Sequence, residues 1–546
     1  MLLLKNAVIA TMDPARPLAE AAVVDGDYFA YVGDGDSAED FVRRCARGPW
    51  ETEDLQGGFL MPGFHDSHMH FLHYVKSKNA VDLTGTASLA ELGDRLRAGL
   101  ARFDGSGGAW LMGEGWNQEC FTGEKRFPTC RDLDAVTTAY PVIVLRSCFH
   151  VGVMNTRAME LLGLNRDTVG RYGVFAERDG TGAPNGVVKE NVLDDIKAGI
   201  PSAGLSALLE QVERAQLDLF AEGLTAVQSD DFKYAPAEGP YALMDGLREM
   251  AEGGRLKLRI AEQALLTEPE TLAEFFERGG ARFGGGDSFR ISAVKILADG
   301  SLGARTALLR SPYADAPGER GLPVYPTQEA LDALVMEAHR HNMPAAIHAI
   351  GDGGAQMALT AIRRAREAAP WLSPRHGLVH CQVMGEEQIR EMAALGATAY
   401  VQPVFISGDM EIAPARLGPE RVRTSYAWGD MARLGVPLAF GTDCPVESFR
   451  PMDGVACAVT RRNLAGDRVF LPEQALTPYQ ALYAYTAGSA RACGWEDRVG
   501  KIRPGMLADF IQLDRNPLRC PPEELSAVQV LRTCLSGAWV YRRALG

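Results

Sequence analysis

Short apolar runs of strand length recur along this chain, and segments whose apolar positions step every three or four residues stand between them. Eight of these runs read as strands: FLMPGFHDSHMH, GLTAVQS, LKLRIAE, RISAVKIL, MPAAIHAI, HGLVHCQ, ATAYVQP and VPLAFGTD. From the second run onward most are separated by amphipathic helical patterns such as TQEALDALVMEAHRHN and EEQIREMAALG. In TPYQALYAYTAGSARACG, Thr477 stands at the N-cap and Pro478 at the first helical position, a strong helix start. Strand alternating with helix predicts a parallel α/β fold, and eight repeats predict a (β/α)₈ TIM-type barrel over residues 61–496.

Two departures from this rhythm define further domains. Residues 1–60 and 497–546 hold short alternating strands with Gly and Asp turns, as in AAVVDGDYFAYVG and VQVLRTCLSGAWVYRR. Neither end has the apolar surface to fold alone, so together they are expected to form one small β-sandwich. Residues 72–216 fall between the first and second strands and are far longer than a βα connection. They are read mostly as an inserted cap subdomain over the barrel mouth, except that the helical LSALLEQVERAQLDLFAEG goes with the barrel.

Composition narrows the function class. A formal net charge of −14 argues against a nucleic-acid partner and against an anionic membrane surface. No apolar run approaches the ~20 residues of a membrane helix, and the opening MLLLKNAVIATMD reads as a first strand rather than a signal peptide. The 10 cysteines are scattered with no CxxC pair, which fits reduced thiols and a cytoplasmic protein.

Five segments end an apolar run on a residue able to bind a metal. They are His68 and His70 in PGFHDSHMHF, Lys295 in RISAVKILADG, His348 in PAAIHAIGD, His380 in GLVHCQ and Asp443 in PLAFGTDCP. The C-terminal ends of barrel strands are where such a fold carries its chemistry. His68 and His70, two apart on a strand, point the same way, whereas His65 and His73 have the wrong parity and are read as supporting groups. Asp443 suits a ligand that also moves a proton, and suits a helix cap equally. As a neutral amine Lys295 can take up carbon dioxide to form a carbamate that bridges two cations; as an ammonium it would pair with Asp299 or Asp443. His150, in the insert, either donates to a substrate oxygen or holds the insert together. Arg305, in the glycine-rich DGSLGARTA, is a candidate substrate anchor. Trp116 and Phe149, with Trp110 and Phe121, suit an apolar or aromatic substrate group or an ordinary core. The set as a whole implies a metal-dependent hydrolase.

The same residues resemble the amidohydrolase superfamily over nearly the whole chain. PGFHDSHMH is similar to its first-strand motif and VGKIRPGMLADFIQLD to its signature for the return into the β-sandwich. VKILADGSLGARTA, with the insert carrying RSCFHVGVMN, resembles the amidohydrolase-3 branch, which includes N-substituted formamide deformylases. The resemblance implies zinc, two ions per chain, with His68, His70 and Asp443 on one, His348 and His380 on the other, and carboxylated Lys295 bridging them. It implies attack of a metal-bound hydroxide on a non-peptide C–N bond, in an amide or an N-acyl or N-formyl amine, and a homodimer. A mononuclear aminohydrolase is the alternative, but HAIGDGG has Asp352 and no glutamate after His348. A non-catalytic scaffold or regulatory relative would be expected to lose ligands, and none is missing.

Overall fold

The computed structural model describes residues 1–103, 105, 109–147, 151–189, 192–193, 196–197, 199–200 and 204–544. They divide into two compact units: Met1–Phe71 with Val212–Ala235 and Pro240–Gly546, and Leu72–Gln211 with Pro236–Gly239.

The first unit is built on eight strands: β1 (Phe64–Met69), β2 (Leu224–Ser229), β3 (Arg259–Leu265), β4 (Phe289–Leu297), β5 (Ala345–Ala349), β6 (Gly377–His380), β7 (Thr398–Val401) and β8 (Leu438–Phe440). Each pairs in parallel with the next in chain order. Two backbone hydrogen bonds beyond β8 close the barrel onto β1: Asp443 N–H to His68 O and His70 N–H to Cys444 O, both 2.8 Å. Helices such as Gln328–Arg340 and Asp352–Ala368 turn their apolar stripes (Leu331, Leu334, Val335; Ala358, Leu359, Ile362) inward.

Alanines dominate the barrel's inner floor. Ala226, Ala261, Ala293, Ala346, Val379, Tyr400 and Ala439 are buried there in two adjoining clusters. The helical turn Ser489–Ala492 packs on them through Ala490 and Ala492. Two residues further along their strands come Gln228, Gln263, Lys295 and His348. Side chains two apart share a face of a strand, so a polar layer lies directly above an alanine layer.

The strand-like run at residues 59–70 is two strands, not one. Phe59–Pro62 pairs with Val8–Ala10 and Phe510–Leu513 in a separate sheet, and only Phe64–Met69 enters the barrel. The switch is at Gly63, where a Cβ would sit 2.3 Å from the Thr225 side chain. Both halves are fully buried, so no change of polarity marks the break.

Both chain ends share that six-stranded sheet, ordered Ala538–Arg542, Val530–Leu535, Phe510–Leu513, Phe59–Pro62, Val8–Ala10, Leu18–Ala19. A four-stranded sheet (Tyr28–Gly33, Ala21–Asp25, Leu2–Lys5, Glu51–Asp54) faces it. Leu4, Ile9, Val24, Phe29, Leu60 and Phe510 form their common core. A buried ion pair ties sandwich to barrel: Arg259 of β3 donates to both Asp509 oxygens (2.6 and 2.9 Å) and to Ser536 Oγ.

The second unit carries a mixed six-stranded sheet. Its strand Val142–Arg146 sends Val142 and Val144 into one core and Ile143 and Leu145 into another. The helix Leu205–Ala221 straddles the boundary between the units. Among the described residues no helix is long and apolar enough to cross a membrane.

Two stability predictions follow from buried ionisable groups. Asp509→Ala leaves the Arg259 guanidinium buried and unpaired, and should cost on the order of 3–5 kcal/mol in denaturant unfolding. The second concerns His376 at the foot of β6. Its Nδ1 accepts from Ala345 N–H (3.0 Å) and its Nε2 meets His339 Nδ1 (2.9 Å). Burial, with His339 beside it, lowers the folded pKa from 6.5 to about 3. The unfolded chain therefore binds a proton that the native state refuses, so stability falls as pH drops from 6.5 towards 3. The slope from this group reaches ~1.4 kcal/mol per pH unit. His376→Asn, whose side-chain oxygen can still accept from Ala345, should flatten the loss measured between pH 7 and pH 5.

Candidate metal centre

The C-terminal edge of the barrel gathers His68 from β1, His70 just beyond it, Asp230 beyond β2, Lys295 from β4, His348 from β5, His380 from β6 and Asp443 beyond β8. Among the described residues, ligand atoms of His68, His70 and Asp443 all lie within 4.8 Å of one another. Asp443 Oδ1 is 3.1 Å from His70 Nε2 and 3.4 Å from His68 Nε2.

Local sequence builds this cluster. A Cβ on Gly441 would lie 2.6–2.8 Å from His68 N, His68 O and Asp66 Oδ1, so only glycine lets β8 run this close to β1. Thr442 then donates through N–H and Oγ1 to Asp66, whose Oδ1 also accepts from His68 N–H. Asp443 follows with φ of 59°, a left-handed conformation held by its N–H bond to His68 O. Burial raises the Asp66 pKa to about 7 even with these donors.

The protons of the histidines point away from the centre. His68 Nδ1 meets Gln263 Oε1 (3.0 Å), His70 Nδ1 the carbonyl of Asp230 (3.2 Å) and His380 Nδ1 Gln402 Oε1 (2.8 Å). Each acceptor takes the N–H, so each ring turns an Nε2 lone pair inward. His348 is reversed: its Nε2 meets Gly300 O (3.1 Å), which leaves Nδ1 as the lone pair. Asp443 Oδ1 is buried and, among the described residues, has no hydrogen-bond partner of good geometry. Burial works against the Asp443 charge, yet His68 and His70 hold its pKa well below the carboxylate range. Burial lowers the pKa of His68 and of His348 to about 4, and Lys295 adds to both. Against the effect of burial, Asp443 and Asp230 raise the His70 pKa. Imidazole nitrogens converging on an ionised carboxylate oxygen fit a metal cation, which would take the place of the proton Asp443 draws to His70.

The amidohydrolase family profile matches residues 51–541. The chain belongs to the amidohydrolase family. It is 31% identical over 503 residues to YtcJ of Bacillus subtilis (strain 168), covering 90% of this chain and 91% of that one. It is 27% identical over 567 residues to the N-substituted formamide deformylase of Arthrobacter pascens, covering 99% and 98%. The crystal structure of a metal-dependent hydrolase from Pyrococcus horikoshii OT3 superposes with a TM-score of 0.79 at 32% identity, over 95% of this chain and 99% of that one. The family is one of hydrolases that are generally metal-dependent.

The remaining residues of this amidohydrolase fall into several places. Lys295 is buried with Nζ 3.3 Å from Asp230 Oδ2 and 3.3 Å from His68 Nε2. Its ion-pair partner is Asp230, not Asp299 or Asp443. Asp299 instead accepts the N–H groups of Ile350, Gly351 and Leu308 (2.8–3.0 Å) and pins the loop after β4. Arg305 spends its guanidinium on Asp315 (2.9 and 3.1 Å). Trp116 is fully buried in the second unit's own core, edge-on to Phe127, a core position rather than an open one. Phe149 and His150 lie outside the described residues. His65 packs by Cys493 and Trp495, away from the ligands.

Asp230, Gln228, Gln263 and Gln402 went unread in the sequence. A repeated local signal marks two of them. Ala-Val-Gln (226–228), Ala-Glu-Gln (261–263), Ala-Val-Lys (293–295) and Ala-Ile-His (346–348) each place a polar group two residues beyond an inward alanine.

Gly441→Ala should separate these roles from general folding. The methyl group cannot enter without moving His68 backbone, so affinity for a divalent metal ion should fall steeply in a chelator-competition titration, with a smaller drop in Tm. Unchanged affinity would show that the β1–β8 contact does not set the ligand positions.

Proposed function

We propose that this amidohydrolase cleaves a non-peptide C–N bond, in an amide or an N-acyl or N-formyl amine. The observation that carries this is the convergence of His68 Nε2, His70 Nε2 and the unpartnered Asp443 Oδ1 at the buried edge of the barrel. Full-length similarity to an enzyme named for N-substituted formamides supports the bond class. His68, His70 and Asp443 would hold one zinc ion and His348 and His380 a second, with Lys295 between them as a carbamate. When bound, the metal supplies Lewis acidity that polarises a carbonyl and brings the pKa of a water towards ~7.

The chain's own groups do the rest. Asp443, held ionised by the two histidines, keeps Oδ1 towards them and uses Oδ2 to take the proton of the attacking water. The water oxygen bonds to the carbonyl carbon, the C–N bond breaks, and Asp443 returns the proton to the leaving nitrogen. Asp66 and Thr442 keep Asp443 in its left-handed conformation through the turn.

The Lys295–Asp230 pair favours a second reading, in which Lys295 stays an ammonium and a single ion is held. Metal analysis of the purified protein separates the two: about two zinc ions per chain supports the bridged centre, and one supports the ion pair. Turnover is tested on a panel of N-formyl, N-acyl and cyclic amides. Asp443→Asn should lower kcat by ~10²–10⁴-fold with a much smaller change in KM. Near-normal kcat in that variant, or no hydrolysis of any C–N substrate by zinc-loaded wild type, would overturn the reading.

A further inference from the structure

Two buried glutamines hold two of the four histidines. The direction of their hydrogen bonds can be read without assuming it, because backbone carbonyls only accept. Gln228 Nε2 lies 2.9 Å from Ser489 O, so that end of the amide is the donor and Gln228 Oε1 faces the other way. Gln263 Nε2 lies 3.3 Å from Gln228 Oε1 and 3.2 Å from Ser67 O. Two acceptors fix it as the donor, which leaves Gln263 Oε1 for His68 Nδ1 at 3.0 Å. Across the barrel, Gln402 Nε2 lies 3.3 Å from Tyr400 O, and its Oε1 meets His380 Nδ1 at 2.8 Å. All of these side chains are buried, so no water competes for the bonds.

The consequence for the rings is chemical as well as geometric. An amide oxygen accepts the Nδ1 proton and keeps it there, so Nε2 is always the lone pair. It does this without the negative charge that a carboxylate would push into the ring, which raises a ligand's basicity. We infer that Gln263 and Gln402 are positioning residues that fix the Nδ1–H tautomer of His68 and His380 and keep both as neutral donors, so that the bound metal retains its electrophilicity at some cost in affinity. The inference rests on the reading of His68 and His380 as ligands and goes beyond it by assigning what sets their donor strength.

The test uses the full-length protein stripped of metal by chelation, with zinc as the probe. Binding is measured by chelator competition in the absence of substrate. Gln263→Met and Gln402→Met keep the volume and remove the acceptor; each should weaken zinc binding by about 10–100-fold. Gln402→Glu restores an acceptor with charge and should match or exceed wild-type affinity. Methionine variants that bind as tightly as wild type, or a Gln402→Glu variant as weak as Gln402→Met, would overturn the inference. Long-range ¹H–¹⁵N spectra of histidine-labelled, zinc-free protein supply a readout that mere packing does not move. His380 should carry its proton on Nδ1 in wild type and lose that single assignment in Gln402→Met; an unchanged tautomer would count against the proposal. If Gln263→Met fails to fold, the Gln402 pair decides alone. If wild type binds no zinc, the proposed function fails, while the tautomer spectra, recorded without metal, still judge this inference.

Discussion

Barrel closure governs this molecule. Seven strand pairs are parallel ladders, whereas β8 is joined to β1 by backbone bonds just beyond its C-terminal end. The bonds that join them run through the candidate metal centre: Asp443 N–H to His68 O, and His70 N–H to Cys444 O. Asp66 buttresses the joint by accepting from Thr442 and His68. The site is therefore not placed upon a finished scaffold. Three of its candidate ligands are part of the seam that completes the scaffold, which is why a glycine is required at position 441 and why Asp443 is held in a left-handed conformation. Any motion that opens the seam moves ligands, and any strain among the ligands is felt at the seam.

The cost of gathering so many charged groups is met by directional bonds rather than by solvent. Asp299 is buried and accepts three backbone N–H groups. Asp230 is buried beside Lys295, which together with His70 holds its pKa below the usual value against the effect of burial. Arg259 and Asp509 satisfy each other at the opposite end of the barrel. Charge at one end of the barrel gathers at the candidate metal centre, and at the other it ties barrel to sandwich. The physics is the same: a buried ion is tolerated where its partners are preformed.

Much of this was legible in the sequence. All eight barrel strands stand where the apolar runs predicted, because a parallel strand covered on both sides is nearly all apolar and hard to mistake. The candidate ligands stood out for the complementary reason: histidine and lysine are out of place at the end of such a run, and the structure brings His68, His70 and Asp443 together. The break at Gly63 was not, since Phe59–Met61 and Phe64–Met69 are equally buried and differ only in which sheet they join. The glutamines were missed because an uncharged amide inside a strand suggests an exposed face; only the alanine two residues earlier reveals that Gln228 and Gln263 point inward. Asp230 was missed although it occupies, after β2, the strand-end position that drew attention to Asp443 after β8. The aromatic residues of the insert misled in the opposite sense: Trp116 is large enough to be a substrate platform and is in fact core.

The sheet shared by the two chain ends has a consequence in time. Its central partners are Phe59–Pro62, made early, and Phe510–Leu513, made late. Until the last strands leave the ribosome, the edge of Phe59–Pro62 that will bond to them stays unpaired, and Leu60 waits for Phe510. At synthesis rates of ~5–20 residues per second, that wait over the intervening chain lasts on the order of half a minute or more. Such pairing between distant segments is also intrinsically slow once both are present. Phe59–Pro62, made long before its partner, is thus among the last strands to be secured. In the cell, the vulnerable species is the nascent chain in which that sheet edge is still open.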